Sequence, residues 1–381
     1  MNTANPIRKI AERTLICFIT ILLCLILCEL FLRKFFPQLK YDYPPGAFIS
    51  NLERGYEYKP DYTGTIHSPD YEITFYIDKY GFRNYPNTQS SFTKTSVILG
   101  LGDSLTFGKG VRFEETYLSI ISQSLNVPVI NAAVDGYGLS EELLLLKDKI
   151  DLVNPSLILV GLTLENDFDD ILRKKRVVQY GVLFEGEDVE NLETKNIFVK
   201  TLDRIKMFFS LHSDLYHLFK KFVKSNKTFQ NILIKLGALI KPREVDDIPL
   251  SHRILFSISD DKTNLALKKV DNIVSEFKNI SDENKSNLLF VLLPSIVQYN
   301  RKLVLSYYNR ELCYHIPDTL ISIFQKHNVP YLDLSPFFRE AFNNDIQFTF
   351  QTDKHWNQKG HQIAGEAISL FINQNYSYLV R

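Results

Sequence analysis

The chain has 381 residues, which exceeds one average domain and suits one large domain with an insertion. Its 44 basic and 44 acidic residues give a formal net charge of zero, which argues against nucleic acid as the main partner. Three of its four cysteines, Cys17, Cys24 and Cys28, lie in one apolar segment. Cys313 stands alone in the rest of the sequence, so cysteine usage indicates neither an internal disulfide nor a redox compartment.

The N-terminal part has the layout of a membrane anchor. Residues 1–13 form a basic tail, and residues 14–32 contain one charged side chain, Glu29. The second segment is long enough to cross a bilayer core of roughly 30 Å as a helix. No small-x-small cleavage motif follows it, so we predict an uncleaved single-pass signal anchor with the remaining domain in the periplasm or outside the cell. The basic residues on the two sides balance each other and do not fix the orientation: Arg8, Lys9 and Arg13 before the segment, Arg33, Lys34 and Lys40 after it.

Two short regions follow the anchor. Residues 33–55 contain Pro37, Pro44 and Pro45, and this composition predicts a juxtamembrane linker. Residues 56–93 are rich in tyrosine and alternate between polar and apolar side chains. That alternation predicts a small β-rich extension, built around a hairpin, before the main domain.

From residue 94 the pattern changes to short apolar runs separated by helix-like stretches. Apolar runs of this kind predict strands buried on both faces, as in a parallel sheet. We therefore predict that residues 94–381 form a three-layer α/β/α sandwich around a five-stranded parallel sheet, with site residues at the carboxyl ends of the strands. The five runs are 96–101, 128–134, 156–162, Asn287–Leu293 and Val329–Leu334.

An insertion of about residues 169–260 interrupts this alternation. Apolar residues recur there at helical spacing with lysines between them, from Phe198 to Phe209 and from Leu215 to Phe222. One interpretation is a helical cap whose apolar face packs on the sheet. The other is a basic amphipathic surface that rests on lipid beside the anchor.

Three residue types needed for nucleophilic catalysis occur in separate parts of the chain. Ser104 follows an apolar strand, and Asp353 and His355 precede a helical stretch near the other end. A serine hydroxyl needs a base to become a nucleophile, and the base needs a third group that holds its tautomer. The order Ser, Asp, His therefore predicts an enzyme that acts on esters.

The segment Gly102-Asp103-Ser104-Leu105, followed by Asp-x-His near the C-terminus, resembles the SGNH (GDSL-type) hydrolase and acyltransferase superfamily. The resemblance covers roughly residues 94–170 and 285–375. It implies a flavodoxin-like, cofactor-free fold with Ser104 as nucleophile, His355 as base and Asp353 as acid. The family's glycine and asparagine blocks match Gly136, with Gly138 as a weaker candidate, and Asn166. The implied oxyanion hole consists of the Ser104 and Gly136 N–H groups and the Asn166 amide.

Two departures from the family pattern bear on function. Many family hydrolases have two residues between the acid and the base, whereas this chain has only Lys354 there. In an extended segment, residues two apart point the same way, so Asp353 and His355 can still meet. The shorter spacing and the following Trp356 resemble the family's membrane-associated polysaccharide O-acetyltransferases. Glu165 replaces the small residue that often precedes the family asparagine, which predicts a narrower acyl pocket.

The sequence favours hydrolysis or transfer of a short acyl group, acetyl above all, on a cell-envelope carbohydrate through an acyl-enzyme. A membrane-bound acyl-donor partner would serve the transfer reaction. One alternative is a lipid esterase at the membrane, and another is a non-catalytic glycan-binding component of an envelope assembly. We expect no cofactor and no metal, since His212 and His217, five apart on a helical pattern, make a poor metal pair.

Overall fold

The computed structural model describes residues 6–36, 38, 43–86, 88–92, 96–173, 176–179, 182–185, 201, 205, 208–226, 228–229 and 248–379. The chain divides into two compact units. The smaller unit comprises Met1–Asp42 and Val189–Glu244, and the larger comprises Tyr43–Asp188 and Val245–Arg381.

The larger unit contains the β-strands. In chain order they are β1 (Phe48–Asn51), β2 (Gly55–Tyr58), β3 (Tyr62–His67), β4 (Glu72–Ile77), β5 (Arg83–Asn84), β6 (Ile98–Gly102), β7 (Val129–Asn131), β8 (Leu157–Thr163), β9 (Arg176–Gln179), β10 (Val182–Glu185), β11 (Asn287–Leu293) and β12 (Tyr331–Asp333).

The α-helices separate these strands. In chain order they are α1 (Pro6–Phe35), α2 (Ser104–Phe107), α3 (Tyr117–Leu125), α4 (Leu139–Val153), α5 (Asp167–Ile171), α6 (Asp214–Ser225), α7 (Leu250–Leu255), α8 (Asp261–Glu283), α9 (Arg301–Tyr308), α10 (Asp318–Lys326), α11 (Ser335–Asn343) and α12 (Gln358–Asn375). Short 3-10 turns lie at Phe113–Glu115, Ile296–Gln298 and Ser377–Leu379.

Within the described residues the main sheet has eight strands in the order β12-β11-β8-β6-β7-β5-β4-β3. The first five run parallel to one another, and their order is the flavodoxin-like arrangement. Alternate residues of these strands join two different apolar clusters, one with helices α4, α8 and α10 and the other with α3, α11 and α12. The prediction of an α/β/α sandwich is therefore confirmed.

The sheet is larger than the predicted five strands. Strands β3, β4 and β5 come from the N-terminal extension and pair antiparallel, with Arg83 of β5 opposite Asn131 of β7. They cover the edge that a five-stranded sheet would leave at β7, whose backbone groups would otherwise lack partners. Strands β3, β4 and β5 of the extension thus belong to the main sheet. Helix α1 ends at Phe35 and β1 begins at Phe48.

The smaller unit contains one long apolar helix. Helix α1 is longer than the predicted anchor. Its segment Glu12–Phe35 contains an 18-residue window with a mean hydropathy of 3.0, none of which is buried. By length and composition this helix can cross a membrane. Near its carboxyl end, Glu29 accepts hydrogen bonds from the backbone amides of Asp214 and Leu215, both at 3.0 Å. The carboxylate thereby satisfies N–H groups at the start of α6, which have no partner inside that helix.

Helix α6 and the residues just before it leave several apolar side chains exposed. The helix lysines Lys220 and Lys221 are exposed as well. Phe208, Phe209, Leu218, Phe219 and Phe222 are 40–59% exposed. The part of the insertion that the structure describes in the smaller unit therefore leaves these side chains exposed within that unit, and both the cap and the lipid interpretations stay predictions.

Candidate active site

Ser104 lies where strand β6 ends and helix α2 begins. Gly102 allows this turn because its φ of +153° is a conformation that side-chain-bearing residues avoid, and a Cβ there would lie 2.1 Å from Thr106 Oγ1. Asp103 caps the helix by accepting a hydrogen bond from the Leu105 amide at 2.9 Å. The serine is thus fixed at the carboxyl end of a central strand, as predicted for a site residue.

The structure brings Ser104, His355 and Asp353 into one hydrogen-bonded chain. His355 Nε2 lies 2.8 Å from Ser104 Oγ. On the other side of the ring, His355 Nδ1 is hydrogen-bonded to Asp353 Oδ1. In this arrangement Nδ1–H donates to the carboxylate, which leaves Nε2 free to accept the serine proton.

An extended segment makes the one-residue spacing work. Phe350 N donates to His355 O at 2.9 Å, and Thr349 pairs with Trp356 in an isolated antiparallel bridge. Asp353 and His355 therefore point to the same side, as the period of an extended chain requires. Trp356 is only 2% exposed and stacks on Phe338 with ring centroids 4.5 Å apart. It anchors the segment in the core and is not available as a platform for a sugar ring.

Asp353 is held in its ionised form. Burial alone would raise its pKa, but the hydrogen bond and charge of His355, together with a hydrogen bond from Tyr71, hold that pKa well below the ordinary value. Asp167 and Asp333, two other carboxylates near strand ends, have different partners. Asp167 accepts from the Thr163 amide at 2.6 Å, and Asp333 accepts from the Ser335 amide at 2.8 Å.

The two glycine candidates for the oxyanion hole differ in their amides. The Gly138 amide donates to Glu141 Oε2 at 3.3 Å, so it is already used at the start of α4. Among the described residues, no hydrogen-bond acceptor is found for the amides of Gly136 and Ser104. This distinction favours Gly136 over Gly138.

Gly136 also has a structural role that the sequence did not disclose. Its φ is +77°, and a Cβ there would lie 1.7 Å from Arg176 Nη1. Its carbonyl accepts hydrogen bonds from Arg173 Nη2 at 2.7 Å and from Arg176 Nη1 at 3.4 Å. Arg173 and Arg176, near the start of the insertion, therefore support the glycine turn.

Asn166 caps helix α5, and its amide is engaged with two carboxylates. Its Nδ2 atom donates to Asp103 Oδ2 at 3.3 Å and to Asp170 Oδ2 at 3.1 Å. An oxyanion bound at this amide would replace one of these partners. The longer bond, to Asp103, is the weaker one, and Asp103 keeps two others from the Leu105 amide and the Thr163 hydroxyl.

Behind these residues four carboxyl groups influence one another. Burial is the main cause that raises the pKa of Asp103, and it raises the pKa of Glu142 and Asp167 well above their ordinary values. Asp170 has its pKa raised to about 6 by burial, against the opposing charge of Arg173. Neither carboxylate oxygen of Glu142 has a hydrogen-bond partner among the described residues. The neutral form of Glu142 is therefore favoured, because a buried lone charge is costly.

Two further charged pairs lie next to site residues. Lys109 Nζ lies 3.3 Å from Asp135 Oδ2. Burial alone would raise the pKa of Asp135, but the charges of Lys109, His355 and Arg176 and a hydrogen bond from Tyr43 together lower it. Glu165 binds His252 Nε2 and the Ile296 amide, both at 2.9 Å. The Glu165 carboxylate is therefore tied to the far end of the insertion. Its predicted effect on the acyl pocket stays a prediction.

No arrangement for a metal ion is found in the described part of the chain, where no group of three or more His, Cys, Asp or Glu side chains is suitably placed. His212 lies exposed on the smaller unit, and His217 Nε2 donates a hydrogen bond to the Ser210 carbonyl at 2.7 Å.

Comparisons with known proteins find similarity in three-dimensional structure. No family model and no curated protein sequence matches the chain. One similar structure is a G-D-S-L family lipolytic protein from Desulfitobacterium hafniense, 11% identical, covering 72% of this chain and 99% of its own, with a TM-score of 0.35. The acetyl xylan esterase AlAXEase is 11% identical over 72% of this chain and 99% of its own, with a TM-score of 0.39. A two-domain esterase active on acetylated mannans is 11% identical over 73% of this chain and 49% of its own, with a TM-score of 0.37.

Proposed function

We propose that this chain is a serine-dependent ester hydrolase of the SGNH (GDSL-type) superfamily, anchored to a membrane by its N-terminal helix. The observation that carries the proposal is the hydrogen-bonded chain from Ser104 through His355 to Asp353. Nucleophile, base and orienting acid are each in contact with the next, which is the geometry that nucleophilic acyl transfer needs.

The reaction follows from these contacts. Ser104 Oγ attacks the ester carbonyl carbon while His355 Nε2 takes the hydroxyl proton. The carbonyl oxygen becomes an oxyanion, which the amides of Ser104 and Gly136 and the side chain of Asn166 stabilise. His355 then gives its proton to the leaving alcohol, and an acyl-Ser104 ester remains. Water then attacks the acyl carbonyl carbon while His355 Nε2 takes one of its protons. The proton returns to Ser104 Oγ, the acyl–serine bond breaks, and the carboxylic acid leaves.

The experiment that tests this proposal is labelling of the detergent-solubilised full chain with a serine-directed fluorophosphonate. Ser104 should be labelled and ester cleavage lost together. Ser104→Ala should give neither label nor turnover while its melting temperature stays close to that of the wild type. A Ser119→Ala variant, which changes a buried serine elsewhere, should label normally. An unlabelled wild-type chain would favour the non-catalytic glycan-binding alternative.

For the substrate we propose a short acyl ester, acetyl in the first instance, on a carbohydrate of the cell envelope. The basis is the Asp353-Lys354-His355 spacing and the anchor, which would hold the site near the envelope. If a sugar hydroxyl replaces water at the acyl-enzyme, the same residues carry out transfer, with the acyl group supplied by a membrane-bound donor. Two products are measured with and without an oligosaccharide acceptor. Release of acetate indicates hydrolysis, and formation of an acetylated oligosaccharide indicates transfer.

A lipid esterase is the second candidate, and the exposed apolar side chains of α6 favour it. Such a surface suits lipid, and a membrane-bound chain could meet its substrate in the bilayer. Relative rates on acetyl and long-chain acyl esters decide between the two. A preference for acetyl esters supports the carbohydrate proposal, and a preference for long-chain esters or lysophospholipids supports the lipid one.

A further inference from the structure

We propose that the N-terminal β-extension is a working part of the active site, in which Tyr71 and Asp70 act as positioning residues for Asp353. The inference rests on the proposed function, since it concerns the acid of the same site. Both residues lie in the turn that joins β3 to β4, far from Asp353 in sequence.

Tyr71 holds the carboxylate oxygen that His355 does not use. Its hydroxyl donates to Asp353 Oδ2, while Oδ1 faces the imidazole. The Tyr71 ring packs on Phe350 with centroids 4.7 Å apart. Gly110 leaves the room for both rings, because a Cβ there would lie 2.5 Å from Phe350 and 2.8 Å from Tyr71. Both oxygens of the Asp353 carboxylate are therefore held by hydrogen bonds, which fixes the orientation of the carboxylate plane.

Asp70 holds the backbone on which that carboxylate stands. Its Oδ2 atom accepts hydrogen bonds from the amides of Thr352 at 2.8 Å and Asp353 at 2.7 Å, and from the Thr352 hydroxyl. A carboxylate that accepts from consecutive amides fixes their orientation, and charge makes these hydrogen bonds stronger than neutral ones. Asp70 thus sets the position of the Asp353 backbone, while Tyr71 sets its side-chain rotation.

The turn itself is fixed to the main sheet. Ser68 donates to the Tyr71 carbonyl at 2.8 Å, and β4 is tied through β5 to β7. The acid of the site is therefore aligned by a sheet edge, while its nucleophile is aligned by a central strand. Asp353 lies in a segment without regular secondary structure, and such a segment needs external contacts to hold a catalytic group at fixed geometry.

The kinetic test compares Tyr71→Phe with Tyr76→Phe, a matched change in the same hairpin for which no hydroxyl hydrogen bond is found among the described residues. Tyr71→Phe should lower kcat about 10-fold with KM unchanged, because it removes an alignment that matters in the transition state. Tyr76→Phe should leave kcat unchanged. In an Asp353→Asn background, Tyr71→Phe should cause no further loss, since the group it positions is already impaired. The inference would be overturned if the decreases in kcat caused by Tyr71→Phe and Asp353→Asn were additive, or if Tyr76→Phe lowered kcat as much as Tyr71→Phe does.

A second readout does not depend on activity. Asp70→Ala should speed amide hydrogen exchange in a peptide covering residues 349–356, whereas Tyr76→Phe should not. Unchanged exchange in Asp70→Ala would overturn the inference even if the chain is an active esterase. If Asp70→Ala speeds the exchange but the wild-type chain is not labelled by fluorophosphonate, the structural contact of Asp70 with the 349–356 segment is supported and the proposed function is wrong.

Discussion

At the scale of single residues, the Asp353 carboxylate is the group whose ionisation matters most to the proposed chemistry. Its pKa lies well below the ordinary value, so the group is charged throughout the range in which the fold is expected to be stable. Asp353→Asn should lower kcat steeply, by roughly 10⁴-fold, because the amide can hold His355 in the wrong tautomer. Steady-state rates with a chromogenic acetyl ester measure this. Near-normal rates would mean that the acid has been misassigned.

Asn166 has two neighbouring carboxylates that compete for its amide. Asn166→Ala should lower kcat by roughly 10²–10³-fold with little change in KM, because an oxyanion donor acts mainly in the transition state. The comparison is with Asn84→Ala, which removes an amide from strand β5. A large rise in KM at constant kcat would instead make Asn166 a residue that binds the ground-state substrate.

The residues that could be predicted from the sequence are those within short motifs. Ser104 follows its strand directly, and Asp353 and His355 are two positions apart, so local patterns identified them. Tyr71 could not be found this way, since it meets Asp353 across 282 residues of chain and its own surroundings read as an ordinary strand. The role of Arg176 could not be predicted either, because nothing in the local sequence indicates that its guanidinium group contacts the Gly136 turn.

At the scale of elements, the exposed side chains of helix α6 lead to a testable prediction about the insertion. We expect its exposed apolar face to bind lipid, with the neighbouring lysines attracted to anionic headgroups. A fragment that begins at Tyr43 and therefore lacks α1 should float with vesicles containing anionic phospholipid. A Phe219→Ser, Phe222→Ser double variant should lose most of this binding.

The control for the flotation experiment is Tyr307→Ser, which removes a 70% exposed aromatic side chain from α9 in the larger unit. This variant should still float. If Tyr307→Ser lost as much vesicle binding as the Phe219→Ser, Phe222→Ser variant, exposed aromatic residues would contribute to binding wherever they lie on the surface. A fragment that stays monodisperse and does not float would support the cap interpretation of the insertion.

The parallel part of the sheet could be predicted because each of its strands is an apolar run with a helix after it. The antiparallel strands were predicted as a hairpin, but their attachment to β7 was not. Short alternating strands such as β5, with two residues, carry too little pattern to specify a partner. The pairing depends on the open edge of β7, which exists only after the sheet has formed.

At the scale of the whole molecule, the buried carboxyl groups predict how stability depends on pH. In the unfolded chain Asp170 and its neighbours have ordinary pKa values near 4. In the folded chain the pKa of Asp170 is about 6, and those of Glu142 and Asp167 are raised as well. The folded state therefore holds protons that the unfolded state has released. The free energy of unfolding should fall as pH rises from about 4 through the raised pKa values.

Glu142→Gln tests this dependence, because it keeps the shape of the side chain and removes its titration. The decrease in the free energy of unfolding between pH 5 and pH 8 should be smaller in the variant, as measured by denaturant unfolding of the full chain in detergent. The control is Glu283→Gln, at the exposed end of α8. Its free energy of unfolding should decrease between pH 5 and pH 8 by as much as that of the wild type. Equal slopes for Glu142→Gln and wild type would show that Glu142 does not titrate in this range.

The burial of Trp356 gives the molecule an internal optical probe. It is the only tryptophan in the sequence and directly follows His355. Its indole stacks on Phe338 and lies at an edge-on angle to His361, with ring centroids 5.8 Å apart. All tryptophan emission from this protein therefore originates beside the base of the site. Acylation of Ser104, or displacement of the 349–356 segment, should change the intensity or wavelength of that emission, so that pre-steady-state formation of the acyl-enzyme can be followed in the unmodified chain.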